Sequence, residues 1–166
     1  MKNVFILIIV FLTFVSCTEK TPLEPEKNYT GITQTSEEGP FPIGDIDPDD
    51  WFFEPDTSDS DSGIFGPLTY SVYPAYPNPT TRYTKIQISI PRQTLVKMWI
   101  DDPMSDKETV IFHRNFLAGT YEFLLDLKYG EENFLRQPGI VRVFIDFIDV
   151  VDIPLIHGDI QIIEEQ

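Results

Sequence analysis

The chain has 166 residues, of which 27 are acidic and 12 are Lys or Arg, so its formal net charge is −15. A surface this acidic repels phosphate backbones, which argues against sequence-independent binding to nucleic acid. The single cysteine excludes an intrachain disulfide framework, and no Cys/His cluster has the spacing of a structural zinc site. The length predicts one domain of ordinary size with accessory segments.

Residues 1–16 have the pattern of a secretory signal peptide. Lys2 precedes an apolar run from Val4 to Val15, and the run is followed by the small residue Ser16. As a helix this run would be about 18 Å long, well short of the roughly 30 Å hydrocarbon core of a bilayer. We therefore expect a cleaved leader rather than a stable membrane span.

Cys17 follows this leader directly, and Phe14-Val15-Ser16-Cys17 resembles the lipobox of bacterial lipoproteins. The resemblance implies that Cys17 carries a thioether-linked diacylglycerol, usually with an N-acyl chain such as palmitate, and becomes the first mature residue. Two or more acyl chains give stable membrane anchoring. Thr18, rather than Asp, follows the cysteine, which favours the outer membrane and leaves its face open. The alternatives are cleavage without lipidation and a buried free cysteine.

Residues 17–66 are predicted to be an acidic tether. Residues 18–66 hold 13 acidic and two basic residues and six of the 14 prolines. Such a stretch cannot bury enough apolar surface to offset the entropy of ordering, and its like charges extend it. We therefore expect a solvated, disordered spacer.

A group of aspartates in this tether gives weak calcium candidates: Asp45, Asp47, Asp49 and Asp56. The first three have the spacing that opens an EF-hand loop, and the fourth stands at its twelfth position. Aspartate replaces the required glycine at Asp50, so a plain solvated segment is favoured over a calcium site.

Three aromatic residues, Trp51, Phe52 and Phe53, are unusual for a purely disordered linker. One interpretation is that they pack onto the folded domain as an extra strand or clasp. The other is that they form a partner-binding hook. Neither interpretation implies catalysis.

Residues 67–166 show apolar residues in alternation, the period of half-buried strands. Ile86, Ile88 and Ile90 alternate with polar residues, and about seven such runs are separated by turn residues rich in Pro, Gly and Asp. Seven short strands in 100 residues predict an all-β, immunoglobulin-like Greek-key β-sandwich. The Cys…Trp…Cys spacing of antibody domains is absent.

The opening of this region carries a second resemblance. Tyr76-Pro77-Asn78-Pro79-Thr80-Thr81, followed by Ile86-x-Ile88-x-Ile90-Pro91, resembles the start of the immunoglobulin-like domain of flagellar hook-capping proteins and of type IX secretion C-terminal sorting domains. The similarity covers roughly residues 68–150. It implies a fold used for sorting, spacing or adhesion, and no shared catalytic residues. The acidic end at Ile160–Gln166 differs from the Lys-rich last strand of sorting domains.

No enzyme motif is present in the sequence. It lacks G-x-S-x-G, H-E-x-x-H, a P-loop and G-x-G-x-x-G, and His113 and His157 have no partner that the sequence identifies. We therefore expect no catalysis and no cofactor. Trp99 and Tyr73 could form an exposed aromatic face for carbohydrate, although aromatic residues are readily absorbed by a sandwich core.

These features together predict a lipid-anchored cell-envelope protein that displays a non-catalytic structural or interaction module. Its expected partners are the membrane, through the anchor, and an envelope protein. The alternatives are a carbohydrate- or calcium-binding accessory domain of a surface machine and a secretion-linked sorting domain.

Overall fold

The computed structural model describes residues 31–51, 62–63, 66–67, 69–101, 108–127 and 139–164. All regular secondary structure in these residues is β-strand. The predicted signal peptide and Cys17 lie outside them. In the described ranges there is no helix long and apolar enough to cross a membrane.

Eleven strands follow one another along the described residues. The first four form two small antiparallel pairs, β1 with β2 and β3 with β4, and the remaining seven form the sandwich. In chain order they are β1 (Thr35–Ser36), β2 (Gly39–Pro42), β3 (Ser62–Gly63), β4 (Gly66–Pro67), β5 (Ser71–Val72), β6 (Tyr83–Ile90), β7 (Thr94–Asp101), β8 (Glu108–Phe116), β9 (Gly119–Asp126), β10 (Gly139–Phe147) and β11 (Ile156–Ile162).

The sandwich consists of a three-stranded sheet in the order β5-β6-β9 and a four-stranded sheet in the order β11-β10-β7-β8. Every neighbouring pair in the two sheets is antiparallel. The first, second and fifth strands of the sandwich thus share one sheet, and the third, fourth, sixth and seventh share the other. This crossing between sheets is the Greek-key order of immunoglobulin-like sandwiches. The prediction of an all-β sandwich is confirmed.

The core lies between the two sheets and is built by strand alternation. Ile86, Ile88 and Ile90 of β6 are fully buried, and they join Met98 of β7 and Ile145 of β10 in one cluster. Full burial of one such side chain contributes roughly 1.5–3 kcal/mol. The period-two pattern of the sequence therefore identifies the inward face of these strands correctly.

The solvated tether predicted for residues 17–66 is wrong for residues 31–51, which pack on the sandwich. Thr33, Thr35, Asp47, Asp50 and Trp51 are all buried. The physical reason is that Asp50 and Trp51 supply hydrogen-bond partners to the edge of β11, as described below. The domain therefore begins well before the predicted boundary at residue 67.

Candidate functional site

Residues 31–51 form a clasp that lies beyond the outer edge of β11. The β1–β2 pair is extended by Gln34, whose N–H donates to the Asp45 carbonyl at 2.9 Å and whose carbonyl accepts from the Ile43 N–H at 2.9 Å. The Thr35 N–H donates to the Asn78 carbonyl at 2.9 Å. Asn78 therefore lies between the clasp and the sandwich.

The last two residues of the clasp take the place of a neighbouring strand for β11. The Trp51 N–H donates to the His157 carbonyl at 2.7 Å, and the Asp159 N–H donates to the Asp50 carboxylate at 3.0 Å. The second oxygen of Asp50 accepts the Thr33 N–H at 3.1 Å. Asp50 thus joins two backbone segments through one side chain.

Asn78 and Thr80 complete this edge. The side-chain amide of Asn78 donates to the Asp159 carbonyl at 2.8 Å, and its oxygen accepts the Gln161 N–H at 2.9 Å. The Thr80 N–H donates to the Gln161 carbonyl and the Thr80 carbonyl accepts the Ile163 N–H, each at 2.9 Å. From the His157 carbonyl to the Ile163 N–H, the backbone groups on the outer side of β11 therefore have partners.

The prolines that flank Asn78 explain why a side chain fulfils this role. Pro77 and Pro79 have no N–H, so the backbone on either side of Asn78 cannot donate to β11. The Asn78 side chain provides both a donor and an acceptor, as a strand residue would. Sequence reasoning predicted only a loop here. The signal for a strand substitute was an asparagine between two prolines.

Trp51 fills the space above Gly158. The indole is 8% exposed and belongs to the main core cluster. A Cβ at position 158 would overlap the indole ring, so only glycine leaves room for it. Trp51 itself has φ 59°, an uncommon value for a residue other than glycine, which its packing stabilises. Of the two interpretations of Trp51, the structure shows packing onto the domain, while Phe52 and Phe53 lie outside the described residues.

A buried ion pair lies next to the clasp. Two hydrogen bonds of 2.7 Å join the Arg142 guanidinium to the Asp159 carboxylate, and both side chains are almost fully buried. Burial, and then repulsion from Asp159, raises the pKa of Asp50 to about 7. Burial, and then the charge of Arg142, lowers the pKa of His157. A pKa near neutrality can mark a reactive group. In this structure both Asp50 oxygens accept backbone N–H groups, one from Asp159 and one from Thr33.

The calcium candidates do not converge on one point. Asp45 and Asp49 are exposed, whereas Asp47 is buried and one of its oxygens accepts the Asp49 N–H at 3.0 Å. Asp56 lies outside the described residues. Within the described ranges, no three His, Cys, Asp or Glu side chains are placed to hold a metal ion together. The geometry gives no support to the calcium hypothesis.

Of the two interpretations of Trp99, the structure shows packing rather than an exposed aromatic face. Its side chain is 8% exposed and stacks on Phe144, with ring centroids 5.2 Å apart and an interplanar angle of 16°. The Lys97 ammonium lies 4.2 Å from its ring centroid. Tyr73 follows β5 in the other sheet, so the two aromatic residues do not share a surface.

On the opposite side of the sandwich, β8 and β9 are the last strands of their sheets, and the outer edge of β8 differs from that of β11. β8 pairs with β7, and no other described residue hydrogen-bonds to its outer backbone edge. Val110 is 51% exposed and Ile111 is 39% exposed; Ile111 is the extra residue of a β-bulge, because Met98 pairs with Phe112 and Trp99 pairs with Val110.

Aromatic rings fill the opening between β8 and β9. Ring centroids are 4.6 Å apart for Phe112 and Phe123, and 4.9 Å apart for Phe116 and Tyr121. The Arg114 guanidinium lies 4.7 Å from the Phe116 centroid. Sequence reasoning missed this cluster because strand alternation identifies apolar faces but not which strands end a sheet.

Comparison with known proteins adds no assignment to this geometry. No protein-family model matches the chain, and neither the curated proteins nor the solved structures contain a match.

Proposed function

We propose that this chain is a lipid-anchored protein of a bacterial cell envelope that displays a non-catalytic β-sandwich as an interaction module. The anchor is supported by the basic residue Lys2, the apolar run Val4–Val15, and Ser16 directly before Cys17. Cys17 is the acylated residue, and Thr18 after it favours the outer membrane. Anchoring through a lipidated cysteine does not depend on any catalytic residue in the sandwich.

The observation that carries the interaction role is the difference between the two ends of the four-stranded sheet. The outer edge of β11 has hydrogen-bond partners from the clasp, Asn78 and Thr80, whereas β8 has none on its outer edge among the described residues. An unpaired strand edge is a template for another strand. Val110 and Ile111 add exposed apolar surface beside it.

The partner that fits this edge is an extended segment of another envelope protein, added to the sheet next to β8. In this mode, backbone hydrogen bonds supply affinity, and alternate side chains supply specificity. A non-catalytic role is supported by the polar groups near β11, because Asp50, Asn78 and Asp159 are all engaged in backbone or ion-pair contacts.

The test is photo-crosslinking in intact cells of the bacterium that encodes the protein, with a photoreactive amino acid at Val110. The matched control carries it at Val151, which is 84% exposed and lies between β10 and β11. We expect one discrete crosslinked envelope protein from position 110 and none from position 151. Equal crosslinking from both positions would contradict a specific β8 edge.

The same experiment includes a Cys17→Ala arm with a Thr18→Ala control. We expect Cys17→Ala to lose incorporated palmitate, to leave the membrane fraction and to lose the crosslink, while Thr18→Ala keeps all three. Retention of the Cys17→Ala variant in the membrane fraction would overturn the anchor.

A further inference from the structure

Three large apolar side chains of the clasp are exposed to solvent. We name Phe41, Ile43 and Ile46 the hairpin patch. Their side chains are 66%, 69% and 64% exposed, respectively. Phe41 and Ile43 are two residues apart in an extended segment and therefore lie on the same face. The backbone bonds between Gln34 and both Ile43 and Asp45 hold this segment in place.

The hairpin patch lies next to the first described residues of the chain. Ile46 lines the same open groove as Gly31 and Ile32. Gly31 is the first described residue, and it follows Cys17 by 14 positions. Even fully extended, a chain of that length spans at most about 50 Å. The clasp is therefore the part of the domain that the anchor constrains most directly.

We propose that the hairpin patch rests on the surface of the membrane that holds the Cys17 anchor, so that the clasp faces the lipid. This inference depends on the anchor of the proposed function and adds a second contact with the same membrane. Apolar side chains that enter the headgroup boundary gain from burial there. The anchor keeps them near that boundary, so even a weak contact becomes an intramolecular one.

The charges around the hairpin patch specify the kind of lipid. Glu37, Glu38, Asp45 and Asp49 are exposed on the clasp. Anionic headgroups would repel these carboxylates, whereas zwitterionic headgroups would not. The hairpin patch therefore fits a phosphatidylcholine- or phosphatidylethanolamine-type surface.

The contact would also orient the domain. The clasp lies beyond β11, and β8 is at the other end of the sheet, three strand spacings away. At about 4.8 Å per spacing, β8 lies about 14 Å farther along the sheet than β11. With the clasp on the lipid, the β8 edge is directed away from the membrane and toward a partner.

The experiment places the mature, lipidated protein in phosphatidylcholine vesicles with an environment-sensitive dye at Ile43→Cys. The matched control carries the dye at Leu124→Cys, which is 64% exposed on β9. In the lipidated protein the sulfur of Cys17 is in a thioether, so the introduced cysteine is the only free thiol. Circular dichroism checks that each labelled variant remains folded.

We expect the label at position 43 to shift its emission to shorter wavelength and to be quenched several-fold more by headgroup-proximal spin-labelled lipid than the label at position 124. Adding Phe41→Ser and Ile46→Ser should remove most of that difference. Including an anionic lipid should reduce the quenching at position 43.

Three results would overturn the inference, and they separate it from the anchor. If the protein floats with the vesicles but both labels are equally open to water, the anchor stands and the hairpin patch does not touch lipid. If shielding at position 43 appears only at high protein density, a second copy covers the patch. If the protein does not float and Cys17 remains a free thiol, the anchor fails and this contact fails with it.

Discussion

The contact most open to a direct test is the pairing of Asn78 with β11. The Asn78 side chain is 0% exposed and makes three hydrogen bonds. Its amide donates to the carbonyls of Thr33 at 3.1 Å and Asp159 at 2.8 Å, and its oxygen accepts the Gln161 N–H at 2.9 Å. Asn78→Ala removes all three and leaves two carbonyls and one N–H of the surrounding backbone without this partner.

The magnitude follows from these bonds. Each lost hydrogen bond costs about 1 kcal/mol net, and a buried backbone group left unsatisfied costs about 1–3 kcal/mol. We therefore expect Asn78→Ala to lower the free energy of unfolding by about 3–4 kcal/mol. That is a large part of the roughly 5–15 kcal/mol available to a typical domain.

The assay is chemical denaturation followed by circular dichroism, with Asn115→Ala on the exposed side of β8 as the control. The control should change the free energy of unfolding by less than about 0.5 kcal/mol. Asn78→Asp keeps the volume of the side chain but removes the donor and brings a carboxylate oxygen against two carbonyls, so it should cost at least as much as alanine. A loss below about 1 kcal/mol for Asn78→Ala would refute the role of this side chain as a substitute strand.

Two further predictions concern the clasp. The pKa of Asp50 is raised to about 7 in the folded state. The stability that the protonated Asp50 side chain contributes is therefore full at a pH below the pKa of this group in the unfolded chain, and it is lost as the pH rises through about 7. The difference in unfolding free energy between the parent protein and Asp50→Asn, measured by urea titration, should therefore fall from pH 5 to pH 7 and then level off. The fall should be at most about 1.4 kcal/mol per pH unit. A difference that stays constant with pH would contradict this. Gly158→Ala should cost about 1–3 kcal/mol because its Cβ overlaps the Trp51 indole. In a Trp51→Ala background the same change should cost much less, and additive thermal-unfolding effects would contradict the contact.

The strand pattern made the sandwich predictable from sequence. The inward faces of β6, β7 and β10 follow from period-two alternation, because a half-buried strand requires it. Trp99 lies between Met98 and Ile100, so strand alternation directs its side chain to the outer face of β7. Its burial was not predictable, because covering of that outer face depends on Phe144 from β10, a neighbour only in the folded sheet.

The clasp was missed because composition averages over a segment, whereas packing depends on single residues. Residues 31–51 are rich in Asp, Glu and Pro, which is typical of a solvated chain. Yet Asp50 is buried because each of its oxygens accepts a backbone N–H, and Trp51 is buried because Gly158 leaves room for it. Neither partner is close in sequence, so no local pattern could reveal them.

The sheets of the sandwich keep their backbone pairing without the clasp, whereas the clasp is held by its contacts with the sandwich. β6, β7 and β10 pair with one another or with neighbouring strands and do not need the clasp for their backbone hydrogen bonds. Opening of the clasp would therefore cost the burial of Trp51, the Asp50 contacts and the hydrogen bonds of Thr33 and Thr35 to Asn78, while the backbone pairing within the sheets persists. Opening would expose the part of the β11 edge that Trp51 and Asp50 cover, at His157 and Asp159, and an uncovered strand edge invites unwanted pairing. Under the proposed anchoring at Cys17, tension would reach the clasp before the sheets, because the clasp comes first among the described residues.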